Sequence, residues 1–165
     1  MAVDRATPLF FDASCVYAAA QSPGGGAARL FTLCRLGWFP GWVSEPVLVE
    51  AERNLRRKGS ALTLARYALL LQRTPLQAAP VPADPVGRHP DINAKDAHVY
   101  AAAIACGARY LLTLDKPLMQ QVNQLGGDPF ALSPGDFLQQ VLPTHPEYVA
   151  APDAGQAGGG GYAGT

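Results

Sequence analysis

The chain has 165 residues, 48% hydrophobic and 16% charged, a composition ordinary for one globular domain that buries a real core. Its 13 Lys and Arg balance 13 Asp and Glu, so no global field draws it to nucleic acid or a membrane, and any such role must come from a local patch. No apolar run approaches the roughly 18 residues that cross a bilayer, and the start carries no signal-peptide pattern. The expectation is a cytoplasmic protein. Cys15, Cys34 and Cys106 are odd in number, scattered and set in apolar helical pattern, which reads as buried free thiols of a reducing compartment.

In chain order, "LFF" at 9–11 is a short continuous apolar run, the signature of a strand buried on both faces of a parallel sheet. A helix opens around Ser14, "SPGGGAA" interrupts as a loop, and "AARLFTLCRLGWF" predicts a second helix with Leu30, Leu33 and Cys34 on one stripe. "GWVS" is a brief strand. "SEPVLVEAERNLRRKG" has serine at the cap, proline in the first turn and glycine at the end, which is complete helix punctuation. With "SALTLARYALLLQRT" it predicts a helical hairpin. The proline-rich stretch 75–93 is a loop with one short strand inside it. "AKDAHVYAAAIACGA" predicts a helix, "RYLLT" a strand, "KPLMQQVNQLGG" a helix, and "PFALS" and "PGDFLQQVL" a last strand and helix. Strands alternating with helices predict a three-layer α/β/α domain over residues 7–143, with a central parallel sheet of four to five strands. Residues 144–165, rich in Pro, Ala and Gly, read as a flexible tail.

In open parallel sheets chemistry collects at the carboxyl ends of the strands. Asp12 follows "LFF", Asp115 follows "YLLTL", Asp96 opens the alanine-rich helix, and Glu50 lies in the helix after "GWVS". If the four converge, their charge demands a cation, because like carboxylates a few ångströms apart repel. Oxygen ligands suit hard ions such as Mg²⁺ or Mn²⁺, and a water on such an ion attacks phosphate. Each residue also has a purely structural reading. Asp12 fits an Asx-turn, Asp96 a favourable charge at a helix N-terminus, Asp115 a helix cap, and Glu50 a solvated helix position. Periodicity does not choose the glutamate: Glu50 borders one edge of the apolar face marked by Val47, Leu48, Ala51 and Leu55, while Glu45 and Glu52 border the other.

The stretches "LFFDASCVYAAA", "VSEPVLVEAERNLRRK", "KDAHVYAAAIACGARYLLTLDK" and "PFALSPGDFLQQ", in that order and spacing, resemble the PIN domain family, especially its bacterial VapC-like members that act as toxins of toxin–antitoxin pairs. The resemblance implies a Mg²⁺- or Mn²⁺-dependent ribonuclease with Asp12, Glu50, Asp96 and Asp115 as acidic metal ligands. It selects Glu50 because the family's glutamate sits several residues into the helix after a serine like Ser44. Ser14 and Thr113 match small hydroxyl positions that support the ligands. The chain departs from the family in Leu114, where many members carry glycine. A cognate antitoxin and a homodimer are further implications.

An acidic site repels RNA, so a basic rim must hold the backbone. Arg53, Arg56, Arg57, Lys58, Arg66 and Arg73 make the helical hairpin the one locally basic region, and Lys95 and Lys116 flank two proposed ligands. An ordinary solvated helix face fits the same arginines. Trp38, Phe39 and Trp42 read as core packing or a partner interface before base stacking, and His89, His98 and His145 lack ligand spacing. Two other enzyme readings fail. The Asp-x-Asp of a haloacid-dehalogenase-like phosphatase is here Asp12-Ala13-Ser14, and the triple glycine at 24–26 lacks dinucleotide-binding spacing. A PIN scaffold that only binds a partner, and an RNA-maturation nuclease, remain as alternatives.

Overall fold

A computed structural model describes residues 2–150. Five parallel strands, β1 (Leu9–Phe11), β2 (Gly41–Val43), β3 (Gln77–Ala78), β4 (Tyr110–Leu112) and β5 (Phe130–Leu132), form one sheet in the order β3-β2-β1-β4-β5. β1 is central, paired with Leu9 opposite both Gly41 and Tyr110. All three of its side chains are fully buried, each worth about 1.5–3 kcal/mol relative to exposure. That explains the unbroken apolar run: helices cover both faces, so the strand has no polar side to show.

The helices are α1 (Ala13–Gln21), α2 (Gly26–Arg35), α3 (Glu45–Lys58), α4 (Ala61–Arg73), α5 (Pro85–Arg88), α6 (Ala97–Ala105), α7 (Lys116–Leu125), α8 (Pro134–Asp136) and α9 (Pro146–Ala150). From β1 the chain steps outward through β2 to β3, then returns across the sheet to β4 and β5. Right-handed crossovers therefore put α1–α4 on one face and α5–α7 on the other. The packing agrees, with α1 lying against α2, α3 and α4, and α5 against α6. This is the expected three-layer α/β/α architecture with a central parallel sheet.

The hairpin of α3 and α4 starts where its punctuation placed it. The Ser44 hydroxyl accepts from the Val47 N–H at 3.4 Å, and that of Ser60 from the Thr63 N–H at 3.2 Å. Gly59 ends α3 for a steric reason: a Cβ there would meet the Leu55 carbonyl oxygen at 2.6 Å. The proline-rich stretch holds the expected short strand, β3, and also α5, which its prolines concealed. The outer edge of β5 is closed from within. The Asn123 side chain of α7 donates to the Ala131 carbonyl at 2.8 Å and accepts from its N–H at 2.7 Å.

After α8 the chain widens into a π-helical turn (Phe137–Val141) and then tightens into a 3₁₀ turn (Leu142–Thr144). It packs on past residue 143. The Val3 N–H donates to the Thr144 hydroxyl at 3.2 Å, and His145 is fully buried, stacked on Trp38 with ring centroids 4.9 Å apart. The expected tail thus includes residues 144–148, which pack on the body, and residues 151–165, which lie outside the described residues. Phe39 is 2% exposed, set edge-on to His145 and Phe137, so these aromatics serve the core.

Candidate active site

The strand order reverses direction between β1 and β4, which makes the carboxyl ends of these two strands the crevice of an open α/β sheet. The Asp12 N–H donates to the Leu112 carbonyl at 3.0 Å, so the two strand ends are still zipped where Asp12 and Thr113 leave them. Asp12 is 7% exposed and Thr113 fully buried. The Thr113 hydroxyl donates to Asp12 Oδ2 at 2.7 Å and accepts from the Asp115 N–H at 3.1 Å. Ser14 repeats the arrangement from the other side: its hydroxyl donates to Asp12 Oδ2 at 3.2 Å and accepts from the Leu114 N–H at 3.0 Å. The two hydroxyls, 3.4 Å apart, clasp the β1–α1 and β4–α7 junctions together. Leu114 makes its bond through the backbone, at ordinary φ, so the missing glycine does not disturb the clasp.

Asp115 caps α7 through Oδ1, which accepts from the Leu118 N–H at 3.1 Å. Asp12 Oδ1 accepts from the Ala13 N–H at 2.7 Å. Both aspartates therefore do the local work that turn and cap readings assign them, while standing at the crevice. Asp96 differs. It occupies the N-cap of α6 but its side chain makes no capping hydrogen bond. The chain before it is pinned by buried Ile92, by the Asn93 N–H donating to Gln121 at 2.8 Å, and by its own N–H donating to the Asn93 carbonyl at 2.9 Å.

Asp96 shows that the carboxylates lie within electrostatic reach. Its carboxyl is pushed above the ordinary range, first by burial, and further by the charges of Asp115, Asp12 and Glu50, with Lys95 opposing. Of the three candidate glutamates, Glu50 is the one whose charge acts there. Glu52 is engaged with Arg56 at 2.7 Å, and Glu45 is exposed in the first turn of α3. The four carboxylates share a field without being drawn together: among the described residues no group of three or more His, Cys, Asp or Glu is close enough to hold a metal ion. The donor set fits a hard divalent cation, being carboxylate and hydroxyl oxygen throughout. The nearby Cys15 thiol is buried and held protonated by burial and by the Asp12 charge, so it offers no soft ligand.

The expected basic rim divides in two. Arg53, Arg56 and Arg57 line a cleft on α3 with Val49 and Glu52. Val49 and Arg53 also line the next cleft, which reaches Glu50 and His98, so one groove runs from Glu50 along α3. Lys58, Lys95 and Lys116 are exposed. Arg66 and Arg73 belong elsewhere. They line a cavity of about 310 Å³ with Arg35, between α2, α4 and the C-terminal half of α1, so the hairpin is not a single basic surface. His98 has no ligand spacing to another histidine, but its place two residues after Asp96 puts it on the first turn of α6, at the cleft with Glu50. His145 satisfies buried polar groups, with Nε2 2.9 Å from the Trp38 carbonyl.

The family model for the PIN domain matches residues 8–117, and the chain belongs to the PIN domain family. Among solved structures it is similar to PAE2754 from Pyrobaculum aerophilum, with 19% identity over 81% of this chain and 94% of that one, at TM-score 0.57. It is also similar to VapBC2 from Rickettsia felis bound to a DNA fragment from their promoter, with 16% identity over 77% and 98% and TM-score 0.56. A third is the sarcin–ricin-loop-cleaving toxin VapC20 of Mycobacterium tuberculosis, with 20% identity over 66% and 90% and TM-score 0.47. No curated protein matches the chain. Among the described residues no helix is long and apolar enough to cross a membrane.

Proposed function

We propose that the chain is a Mg²⁺- or Mn²⁺-dependent endoribonuclease that hydrolyses RNA phosphodiester bonds as the toxin of a toxin–antitoxin pair. The observation that carries this reading is Asp96, whose carboxyl makes no helix cap and feels Asp12, Glu50 and Asp115. A cap position with no capping bond, facing three further carboxylates, costs stability unless a cation balances it. PIN family membership and the toxin assemblies among similar folds point the same way.

Asp12, Glu50, Asp96 and Asp115 would hold the metal, which when bound supplies charge neutralisation at the scissile phosphate and acidifies water. The chain's own groups do the rest. Thr113 and Ser14 fix the rotamer of Asp12 by donating two hydroxyls to the same Oδ2. The Leu118 and Ala13 N–H groups orient the outer carboxylate oxygens. Arg53, Arg56 and Arg57, with Lys95 and Lys116 at the rim, receive the RNA backbone. An antitoxin that enters the same crevice with a basic side chain would neutralise the carboxylates and block it. A homodimer and a cytoplasmic location complete the proposal.

Wild type and Asp12→Asn are incubated with labelled RNA in EDTA, Mg²⁺ and Mn²⁺. The reading requires cleavage that depends on the metal and disappears in the variant. Absence of cleavage on every RNA, with no Mn²⁺ binding by calorimetry, leaves only a partner-binding scaffold.

A further inference from the structure

The cleft between α3 and α6 encloses about 380 Å³ and is lined by Glu45, Pro46, Val49, Glu50, Arg53 and His98. His98 lies on the first turn of α6, and its Nδ1 is shut off from solvent with no hydrogen-bond partner among the described residues. An N–H buried without an acceptor is rarer in folded proteins than a lone pair buried without a donor. With Nδ1 enclosed, Nε2 is the ring nitrogen left to meet a ligand, and as Nε2–H it offers the cleft a donor. Arg53 adds a second. It is exposed, and the carboxylate–arginine pairs among the described residues go to Arg5 and Arg56 instead. Neither side chain has a hydrogen-bond or ion-pair partner among the described residues, both line the cleft with Glu50, and the groove continues to Arg56 and Arg57. Two unengaged donors on the path from Glu50 to a basic helix face suit an anionic strand.

We propose that this cleft seats the RNA phosphodiester next to the scissile one, with His98 Nε2–H and the Arg53 guanidinium as its hydrogen-bond donors. The proposal rests on the ribonuclease reading and names the strand's path through that site. The contacts are to a phosphate that does not react, so they serve binding of substrate and transition state alike and act on KM rather than kcat. Glu45 opposes them from the same cleft, and Glu45→Gln tightens binding.

The test measures affinity for a fluorescein-labelled single-stranded oligoribonucleotide by anisotropy in Mg²⁺, on the Asp12→Asn background. KM and kcat are measured in parallel with Asp12 restored. Arg53→Gln and His98→Phe are expected to weaken binding about tenfold each, with kcat held within about threefold. Arg53→Gln also lowers the slope of log affinity against log salt by about one. His98→Gln, which carries an amide donor near the Nε2 position, restores most of the loss. Unchanged affinity in Arg53→Gln and in a folded His98→Phe, failure of glutamine to rescue that His98→Phe, or a fall in kcat at constant KM overturns the proposal. Arg53 is on the surface, so its variant decides even where His98→Phe misfolds. A wild type that binds RNA and never cuts it overturns the ribonuclease reading instead, and the anisotropy series still reports whether His98 and Arg53 hold phosphate.

Discussion

The Thr113 hydroxyl donates to Asp12 Oδ2 at 2.7 Å while accepting the Asp115 N–H at 3.1 Å, so one buried side chain holds two acidic residues from different strands. Thr113→Val keeps the shape and removes the donor and the acceptor together. It leaves the Asp115 N–H without its partner and Asp12 with Ser14 alone at Oδ2, a loss of about 1–3 kcal/mol. Urea denaturation measures this, and RNA cleavage should fall with it because Asp12 is no longer oriented. Thr113→Ser keeps the hydroxyl and is expected to retain most of both. Equal damage from serine and valine would mean that the methyl group matters and the clasp does not.

Asp96 is the reverse case, a residue whose ionised form works against the metal-free fold. Burial first, and then Asp115, Asp12 and Glu50, raise its carboxyl above the ordinary value. A folded-state pKa above the unfolded one, about 3.9, means stability that is present at acid pH and lost as pH rises through the folded value. Asp96→Asn carries no such charge. In EDTA it is expected to exceed wild type in Tm near neutrality, and the gap should close as pH falls below the unfolded pKa. The side chain is half in solvent, so the gain stays under about 1 kcal/mol, or about 2–4 °C. Mn²⁺ should raise the wild-type Tm and leave the variant's almost unmoved. A Tm difference that does not vary with pH would sever Asp96 from the other carboxylates.

How far the sequence foretells this arrangement depends on which physics each feature uses. β1 and β4 are legible because a strand covered on both faces must be apolar throughout, and α3 because Ser44 and Pro46 punctuate it. Asp12 and Asp115 are legible because a strand end is a local signal. Their hydrogen bonds to Ala13 and Leu118 show that local and shared roles coexist, which spacing alone cannot reveal. The glutamate is not legible from periodicity, because Glu45, Glu50 and Glu52 all flank one apolar stripe. What separates them is long-range: Glu50 acts on Asp96 of α6, while Glu52 pairs with Arg56. Arg66 and Arg73 share a helical hairpin with Arg53 in sequence, yet α4 turns them toward α2. β3 and α5 lie in a run where five prolines between residues 75 and 90 mask every periodicity.

Asn123 guards the β5 edge of the sheet. Its amide meets both the N–H and the C=O of Ala131, at 2.7 and 2.8 Å, and Ala131 is 2% exposed. Asn123→Ala orphans two backbone groups in a poorly hydrated place, an expected loss of about 2–4 kcal/mol. It also uncovers a strand edge able to pair with another chain. The measurements are chemical denaturation and light scattering against concentration. Asn123→Asp keeps an acceptor for the N–H but cannot donate to the carbonyl, so it should fall between. A stable, monodisperse Asn123→Ala would show that water satisfies Ala131 equally well.

His145 anchors the chain beyond the last regular helix of the sheet-covering layers. It is fully buried, stacks on Trp38 at 4.9 Å and meets Phe39 edge-on at 5.0 Å. Nε2 lies 2.9 Å from the Trp38 carbonyl, and Nδ1 accepts from the Glu147 N–H at 3.2 Å. His145→Ala removes ring and hydrogen bonds together and leaves a cavity, an expected cost of about 2–4 kcal/mol. His145→Phe keeps the ring in place but orphans the Trp38 carbonyl, and should cost about 1–2 kcal/mol. Trp38 fluorescence should shift to longer wavelength in the alanine variant as water reaches the indole. RNA cleavage at a temperature where both variants stay folded should match wild type, because His145 packs beside Trp38 and Phe39, where the chain enters β2, and the carboxylates follow the opposite ends of the strands. Lost cleavage in folded His145→Phe would tie this aromatic anchor to the active crevice and contradict that separation.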